Sequence, residues 1–478
     1  MTRRHLAPLL ALTALTGCAT TGADYSPPDA SAPPAFVAEP GGTDQMAIEA
    51  RWWRTFGDPQ LDRLITSALA ANLDAKLAVA RLAEARALAG AARADRLPGG
   101  GVEASYQRRR LADLERFGTA PRDGDVLRLG AAADWEIDLF GRVGRSIEAA
   151  EAEVGGAAAM LRAARVAVAA DVATRYFELR GGQAALTVAR NAIANQRRSF
   201  EVTRKLADAG AGARLDIVRA EAQLRAVEAT VPDIERQIAV ARNALAVLLG
   251  EPPQSFGGPA IPPGDLPQIA SLSVGTPEAL LRRRPDIAAA ERRLAAANAR
   301  AGAARAELFP SVRLTGFIGL LASGLGSLTS GGALTFSAGP VLDWGVFDLP
   351  RLRAQLGAAD ARTDAALIDY HRIVLNALRE VEDALVAYGA IRTQMARLAE
   401  QTTASREAAQ LASMGFREGE GQYLEVLDAE RTLVEAEARL IEAQARHLLS
   451  VVGIYRALGG GWEVCNPPEG PDCVARVP

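Results

Sequence analysis

The stretch that decides the fold is residues 284–310, RPDIAAAERRLAAANARAGAARAELFP. Pro285 suits the first turn of a helix, the alanines favour helix through the middle, and Pro310 ends it. An earlier copy of this stretch occupies residues 72–98 at a constant offset, because 286 − 74 and 310 − 98 both give 212. A copy at a fixed offset indicates an internally duplicated chain.

Composition restricts the classes of function. The chain has 478 residues and a net charge of −3, so nothing suggests a nucleic-acid partner. Hydrophobic residues make up 49% but aromatic residues only 5%, which suits long, closely packed helices rather than a thick core. The three histidines and three cysteines are scattered, and no nucleotide or hydrolase motif is present. We therefore expect no metal site, no enzyme activity and no cofactor apart from a covalent lipid.

The amino terminus reads as a targeting segment. Arg3 and Arg4 precede an apolar run that is too short to span a bilayer, and the sequence LTGC then ends at Cys18. This resembles a bacterial lipobox and implies a signal peptide over residues 1–17 with lipidation of Cys18. Residues 18–50 would then be the lipid anchor and an extended, flexible tether without packed structure. An ordinary signal peptide with an incidental cysteine is the alternative.

Each copy predicts the same series of elements: helices, a β-hairpin, a long helix and a shorter return helix. In the first repeat, residues 51–258, these are helix 59–97, hairpin 100–136, long helix 142–208 and return helix 214–249. In the second repeat, residues 259–461, they are helix 277–309, hairpin 310–344, long helix 351–416 and return helix 422–458. Residues 462–478 form a tail. Helices this long are typical of a coiled coil or a helical tube.

The hairpins alternate with a period of two residues. Val102, Ala104 and Tyr106 alternate with polar residues, which predicts strands with one apolar and one polar face. Four strands cannot close a barrel, and lipid does not tolerate an open sheet edge. Either several subunits close one transmembrane barrel, or the hairpins form a small soluble sheet that caps a coiled coil.

Residues 284–310, the segment WEIDLFGR at 135–142, the lipobox and the duplication together resemble the TolC-like outer-membrane efflux proteins. The similarity is to the lipoprotein branch of OprM and NodT. It implies a mainly α fold with a small β part, and a homotrimer in the cell outer membrane. Twelve strands would form a barrel surrounded by outer-membrane lipid, and the helices would form a hollow α-barrel in the periplasm.

The resemblance also implies a function. The trimer would be a duct that carries drugs or other toxic small molecules out of the cell. A periplasmic membrane-fusion adaptor and an inner-membrane pump of the RND type would supply them. The alternative is a structural periplasmic coiled-coil lipoprotein without channel activity. The sequence does not reveal the substrate.

A periplasmic gate is implied at the Gly-rich turns. Glu425 and Asp428 match the acidic ring positions of the family and lie three residues apart, on one helix face. Asp216 and Arg219 hold the equivalent positions in the first repeat, and Phe416 resembles a tip aromatic residue. An acidic ring would favour cations. The alternative for each charged residue is a solvated helix face.

Two further pairs of residues carry predictions. Trp135 and Trp344 stand at equivalent strand ends and are candidates for an interfacial aromatic girdle, or for packing in the strand-to-helix junction. Cys465 and Cys473 lie eight residues apart in the tail. In an oxidising compartment they would form a disulfide; two unpaired thiols are the alternative.

Overall fold

A computed structural model describes residues 21–29, 32–38, 43–44, 49–115, 122–210, 212–259, 266–269 and 272–462. Cys18, Cys465 and Cys473 lie outside these residues. The lipid site and the disulfide therefore remain predictions.

The described residues are mainly helical and include one four-stranded sheet. The helices are α1 (Pro59–Ala71), α2 (Leu73–Ala94), α3 (Arg142–Asp208), α4 (Arg214–Glu228), α5 (Val231–Leu248), α6 (Pro277–Arg283), α7 (Pro285–Ala306), α8 (Leu349–Glu418) and α9 (Tyr423–Ala457). The strands are β1 (Thr43–Asp44), β2 (Gly99–Arg110), β3 (Asp123–Ile137), β4 (Leu272–Ser273), β5 (Ser311–Ala322) and β6 (Leu334–Asp343). Within the described ranges, every helix lacks the length of apolar sequence that a bilayer crossing requires.

The predicted single helices 59–97 and 277–309 are wrong, because both are interrupted at equivalent positions (284 − 72 = 212). Asn72 ends α1, and its side-chain oxygen accepts hydrogen bonds from the N–H groups of Asp74 and Ala75, so it caps α2. Arg284 ends α6 in an extended conformation because Pro285 disfavours a helical residue before it. The helical pattern continues across Asn72 and conceals that break, whereas Pro285 marks the start of α7.

The single return helix predicted over 214–249 is also wrong, because the structure has α4 and α5 there. Pro232 stands in the first turn of α5 and has no N–H to continue the ladder of hydrogen bonds from α4. Ile441 holds the equivalent position in the second repeat (441 − 232 = 209). The second return helix, α9, accordingly runs unbroken for 35 residues.

The compact units of the chain are not the two sequence repeats. The first unit contains Arg81–Ala157, Ala289–His371 and the described part of the first 28 residues. The second contains Asp29–Ala80, Ala158–Ala288 and Arg372–Pro478, as far as these are described. Each unit takes residues from both repeats, so the repeats fold together and not as separate domains.

The first unit contains the antiparallel sheet, in the order β2-β3-β5-β6. The central pairing, β3 with β5, joins the two repeats. Its register places Ala131 opposite Ile318, and Ile318 opposite Phe336, so most of the large apolar residues of the four strands share one face. That face contains Val102, Ala104 and Tyr106 of β2; Leu127, Leu129 and Trp135 of β3; Leu314 and Leu320 of β5; and Leu334, Pro340 and Leu342 of β6.

The second unit has an aromatic core although aromatic residues are scarce in the chain. Trp52 and Trp53 are almost fully buried in a short 3-10 helix. Trp52 stacks on Tyr455 with ring centroids 4.9 Å apart, and Phe56 meets Phe177 at 4.5 Å. Buried aromatic rings of this kind contribute strongly to stability. The core fixes the residues before α1 against α3 and α9.

The expectation of an extended tether over residues 18–50 is wrong for the parts that the structure describes. In the first unit, the Tyr25 hydroxyl donates a hydrogen bond of 2.7 Å to Glu291. In the second unit, the N–H groups of Val37 and Ala38 donate to the Glu382 carboxylate, at 2.8 and 3.0 Å. Strand β1 pairs in parallel with β4. The hydrogen-bonding groups of this segment are thus paired with carboxylates and backbone groups that are distant in sequence. The composition of the segment alone did not indicate this packing.

Glycines in the long helix α3 allow close helix contacts. The helix continues through Gly181 and Gly182. A Cβ atom at Gly181 would lie 2.8 Å from Cβ of Ala445, and one at Gly182 would lie 2.8 Å from Cγ1 of Ile238. Both distances are too short for carbon atoms, so the neighbouring helices approach where the side chains are missing.

We expect Gly181→Ala to destabilise the protein by about 1–3 kcal/mol, because the added methyl group overpacks this contact. Gly357→Ala is the matched control, since nothing lies within 4 Å of its added Cβ atom. Alanine is the better helix former, so this change should be neutral or stabilising by up to about 1 kcal/mol. Thermal unfolding, monitored by circular dichroism, measures the change in stability for each of the two variants. Equal effects of the two substitutions would contradict the close-contact explanation.

Candidate functional site

The four-stranded sheet is amphipathic across its whole width. On the apolar face, Val102 is 83% exposed and Phe336 is 78% exposed. On the opposite face, Arg313 approaches Asp134 at 3.7 Å. Exposed ion pairs stabilise little. The charges of the apolar face are confined to the hairpin end of β2 and β3, where Arg110 pairs with Asp123. A continuous exposed apolar face marks a surface for lipid or for another protein, and strands that alternate in this way are typical of transmembrane β-barrels.

Trp135 and Trp344 occupy equivalent places at the ends of β3 and β6. Each indole N–H donates to a carbonyl at a helix end, Trp135 to Arg96 at 2.9 Å and Trp344 to Leu308 at 3.2 Å. Their side chains are 36% and 50% exposed. The geometry shows the contact with the strand-to-helix junction, while part of each ring stays open. Their role in an interfacial girdle stays a prediction.

The motif at residues 135–142 makes the turn from β3 into α3. The Asp138 carboxylate accepts hydrogen bonds from the N–H groups of Val143 and Gly144, and so caps α3. Gly141 has φ of +82°, in the left-handed region that favours glycine. Phe140 stacks on a second phenylalanine, Phe309, at 4.8 Å. This motif therefore fixes the direction in which the long helix leaves the sheet.

The turn between α8 and α9 carries the predicted gate residues. Gly419 has φ of +82° and ends α8. Glu425 completes a capping box with Gln422, whose N–H donates to its carboxylate at 3.3 Å. The sequence prediction assigned Glu425 to the gate and missed this capping role. Its carboxylate is nevertheless exposed.

The other charges at this end pair along their own helices. Asp428 accepts a hydrogen bond from Arg431 at 2.8 Å, and Arg219 lies 4.0 Å from Asp216 on α4. Among the described residues, neither pair crosses to the other helix. The structure therefore places these charges on the surface of one chain and leaves their role in a gate untested.

An apolar cluster joins the two return helices beside the turn. It consists of Ala220 from α4 with Tyr423, Val426 and Leu427 from α9, and Phe416 packs against it. The rings of Phe416 and Tyr423 lie 5.4 Å apart. Phe416 thus belongs to the packing under the turn, and its part in gating stays a prediction.

One acidic residue in this region was missed. Glu430 accepts hydrogen bonds from the Ser199 hydroxyl at 2.9 Å and from the Gln196 amide at 3.1 Å, so it links α9 to α3. Burial raises the pKa of its carboxyl, and these hydrogen bonds oppose the rise. The sequence signal that could have identified Glu430 is its position on the apolar stripe of α9, three residues after Leu427 and four before Val434.

The chain matches a known family over most of its length. The model of the outer membrane efflux protein family matches residues 64–251 and 276–460. These segments begin 212 residues apart (276 − 64 = 212), which is the offset of the sequence repeat. The chain is 35% identical to outer membrane protein OprJ of Pseudomonas aeruginosa, over 95% of this chain and 97% of OprJ. It is 34% identical to the solvent efflux pump outer membrane protein SrpC of Pseudomonas putida, over 96% of this chain and 98% of SrpC.

Solved structures show the same fold. The outer-membrane channel OprN has a TM-score of 0.87 at 39% identity, covering 93% of this chain and 100% of OprN. The open state of the MtrE outer membrane channel of Neisseria gonorrhoeae has a TM-score of 0.83 at 30% identity, covering 93% of this chain and 99% of MtrE. The chain therefore belongs to the outer membrane efflux protein family. The TolC-like resemblance, the fold class and the outer-membrane location are confirmed, and a channel is favoured over a periplasmic spacer.

We expect the charge of Glu430 to make stability depend on pH. Its raised pKa means that the folded state binds the proton more tightly than the unfolded chain. This tighter proton binding stabilises the folded state fully below about pH 4.3, the ordinary pKa of glutamate. The stabilisation is lost as the pH rises through the pKa that Glu430 has in the folded protein. Glu430→Gln keeps polar contacts without the charge, so it should be more stable than the native chain at pH 7 and no more stable near pH 4.

Melting temperatures at several pH values between 4 and 7 measure this difference. Glu437→Gln serves as the control, because Glu437 lies on the same helix in an ion pair of 2.8 Å with Arg406. That change should not stabilise the protein at pH 7. A constant difference between Glu430→Gln and the native chain over the whole range would contradict the prediction.

Proposed function

We propose that three copies of this chain close one pore through the outer membrane. The observation that supports this proposal is the open, amphipathic sheet of four strands. Its edge strands, β2 and β6, have no further strand partner among the described residues. Unpaired backbone groups cost several kcal/mol each in hydrocarbon, so such an edge needs a neighbouring strand.

Strand direction and length fit a closed ring of copies. The strands alternate in direction from β2 to β6, so β6 of one copy meets β2 of the next in antiparallel orientation. The two edge strands have 12 and 10 residues, which suits a strand that spans a membrane. Two copies would give eight strands, whose interior is filled by side chains. Three copies give twelve and leave room for a passage.

The pore would be a passive duct for small molecules. In this proposal its helices extend into the periplasm, and a periplasmic membrane-fusion adaptor with an inner-membrane pump of the RND type delivers the substrate and the energy. Drugs and other toxic compounds are the proposed cargo. The similarity to SrpC, a solvent efflux pump component by name, supports this class. A lipid on Cys18 would add an anchor in the outer membrane.

The exposed acids at the α8–α9 turn would form the gate. Glu425 and Asp428 lie close together on one helix, and both carboxylates are exposed. Three copies would bring six carboxylates to one opening. Such rings attract cations and resist anions, and they bind divalent ions at a channel mouth.

We expect Ile318→Lys to block insertion into the outer membrane. Ile318 is 60% exposed at the middle of β5, on the apolar face, and a lysine facing lipid costs about 2–4 kcal/mol at the bilayer midplane. Ser337→Lys is the matched control, because Ser337 lies on the polar face of the neighbouring strand. It should insert normally. Membrane fractionation with protease protection measures insertion. Normal insertion of Ile318→Lys would contradict the assignment of the apolar face to lipid.

We expect Glu425→Gln combined with Asp428→Asn to raise single-channel conductance and to lower cation selectivity. In this proposal the rings hold the opening shut, so their loss should widen it, and the loss of six charges should weaken the preference for cations. Planar-bilayer recordings with a salt gradient measure both quantities. Glu278→Gln with Glu400→Gln removes two exposed acids elsewhere in the chain and controls for total charge. Unchanged conductance and selectivity in the first variant would remove these residues from the gate.

A further inference from the structure

One aromatic residue interrupts the polar face of the sheet. Within the described strands, Phe317 is the only aromatic side chain on that face. It lies over a pair of glycines, Gly130 and Gly319, which stand opposite each other in β3 and β5. A Cβ atom added to them would lie 2.5 and 2.8 Å from the ring carbon Cζ of Phe317. The glycines thus leave the space that the ring occupies.

An arginine covers this ring. The guanidinium carbon of Arg128 lies 3.9 Å from the centroid of Phe317, at contact distance for a cation–π interaction. Its Nε atom is 3.7 Å from the Glu103 carboxylate and makes no hydrogen bond in the described part of the chain. The side chain is 41% exposed. Contact with an aromatic ring therefore helps to hold this cation, and its terminal N–H groups make no hydrogen bond to the residues that the structure describes.

A second arginine on the same face provides a comparison. Arg313 also has a carboxylate 3.7 Å away, on Asp134, and its side chain is 48% exposed. It has no ring beneath it in the described structure. The two arginines thus match in charge, exposure and ion pairing, and differ in the aromatic contact.

We propose that Arg128 and Phe317 form a subsite for small aromatic anions on the pore wall. This inference rests on the proposed function, because the polar face lines a passage only in the closed barrel. The guanidinium can donate paired hydrogen bonds to a carboxylate while its free face stacks on a planar ring. Three copies would place three such subsites around the passage. Binding must be weak there, since a transit site has to release its solute.

Block of single-channel current by three small probes tests the subsite. Benzoate has both the ring and the negative charge, cyclohexanecarboxylate has the charge without the aromatic ring, and benzylammonium has the ring with the opposite charge. Each is added at millimolar concentration to the purified wild-type protein in planar bilayers. Benzoate should block at a concentration about three- to tenfold lower than either of the other probes.

Four variants then assign the block to residues. Arg128→Gln should abolish the preference for benzoate, and Phe317→Leu should weaken it about three- to tenfold. Arg313→Gln removes the same charge from the same face and should retain the preference. If Phe317→Leu does not insert, Arg128→Lys replaces it, because lysine keeps the charge and loses the planar stack.

The outcomes separate this inference from the proposed function. Absence of conductance in the wild-type protein would overturn both. A conducting channel that benzoate blocks equally well in Arg128→Gln would overturn the subsite alone. An equal loss in Arg313→Gln would also overturn it, because the effect would then be one of total charge. Loss in Arg128→Gln together with retention in Arg313→Gln supports the subsite.

Discussion

Backbone hydrogen bonding at the edge of a sheet is the constraint on which the rest of this structure depends. A strand in hydrocarbon has no water to satisfy its N–H and C=O groups, so every strand needs two neighbours. Strands β3 and β5 find theirs within the chain, and β2 and β6 have one each among the residues that the structure describes. In the proposed trimer, neighbouring copies complete this sheet, and twelve strands are the smallest multiple of four that leave a passage.

The helical part follows from small side chains. Long helices approach closely where glycine or alanine removes the intervening atoms, as at Gly181 against Ala445. Trp52 and Trp53 lie in one buried core with other aromatic residues, among them Phe56, Phe177 and Tyr455. Closely packed, alanine-rich helices leave little room for a central core along their length. They suit a wall around a space better than a solid bundle.

Local pattern predicted much of this fold. The long helix over 142–208 follows from its helical pattern and alanine content, and the hairpins follow from their period of two. The break at Asn72 was not predicted, because the helical pattern continues across it, whereas Pro285 marked the start of α7. The packing of Tyr25 depends on Glu291, which is distant in sequence. Among the site residues, the capping role of Glu425 was missed because glutamine is not a usual N-cap residue. The hydrogen bonds of Glu430 to Ser199 and Gln196 depend on the neighbouring helix α3.

The claim that separate chains complete the barrel is tested most directly by counting chains. Native mass spectrometry of the protein extracted from the outer membrane in mild detergent gives the number in each particle. The account predicts three copies, and one conducting pore for each particle after reconstitution. A homogeneous monomer, or a dimer that conducts, would contradict it.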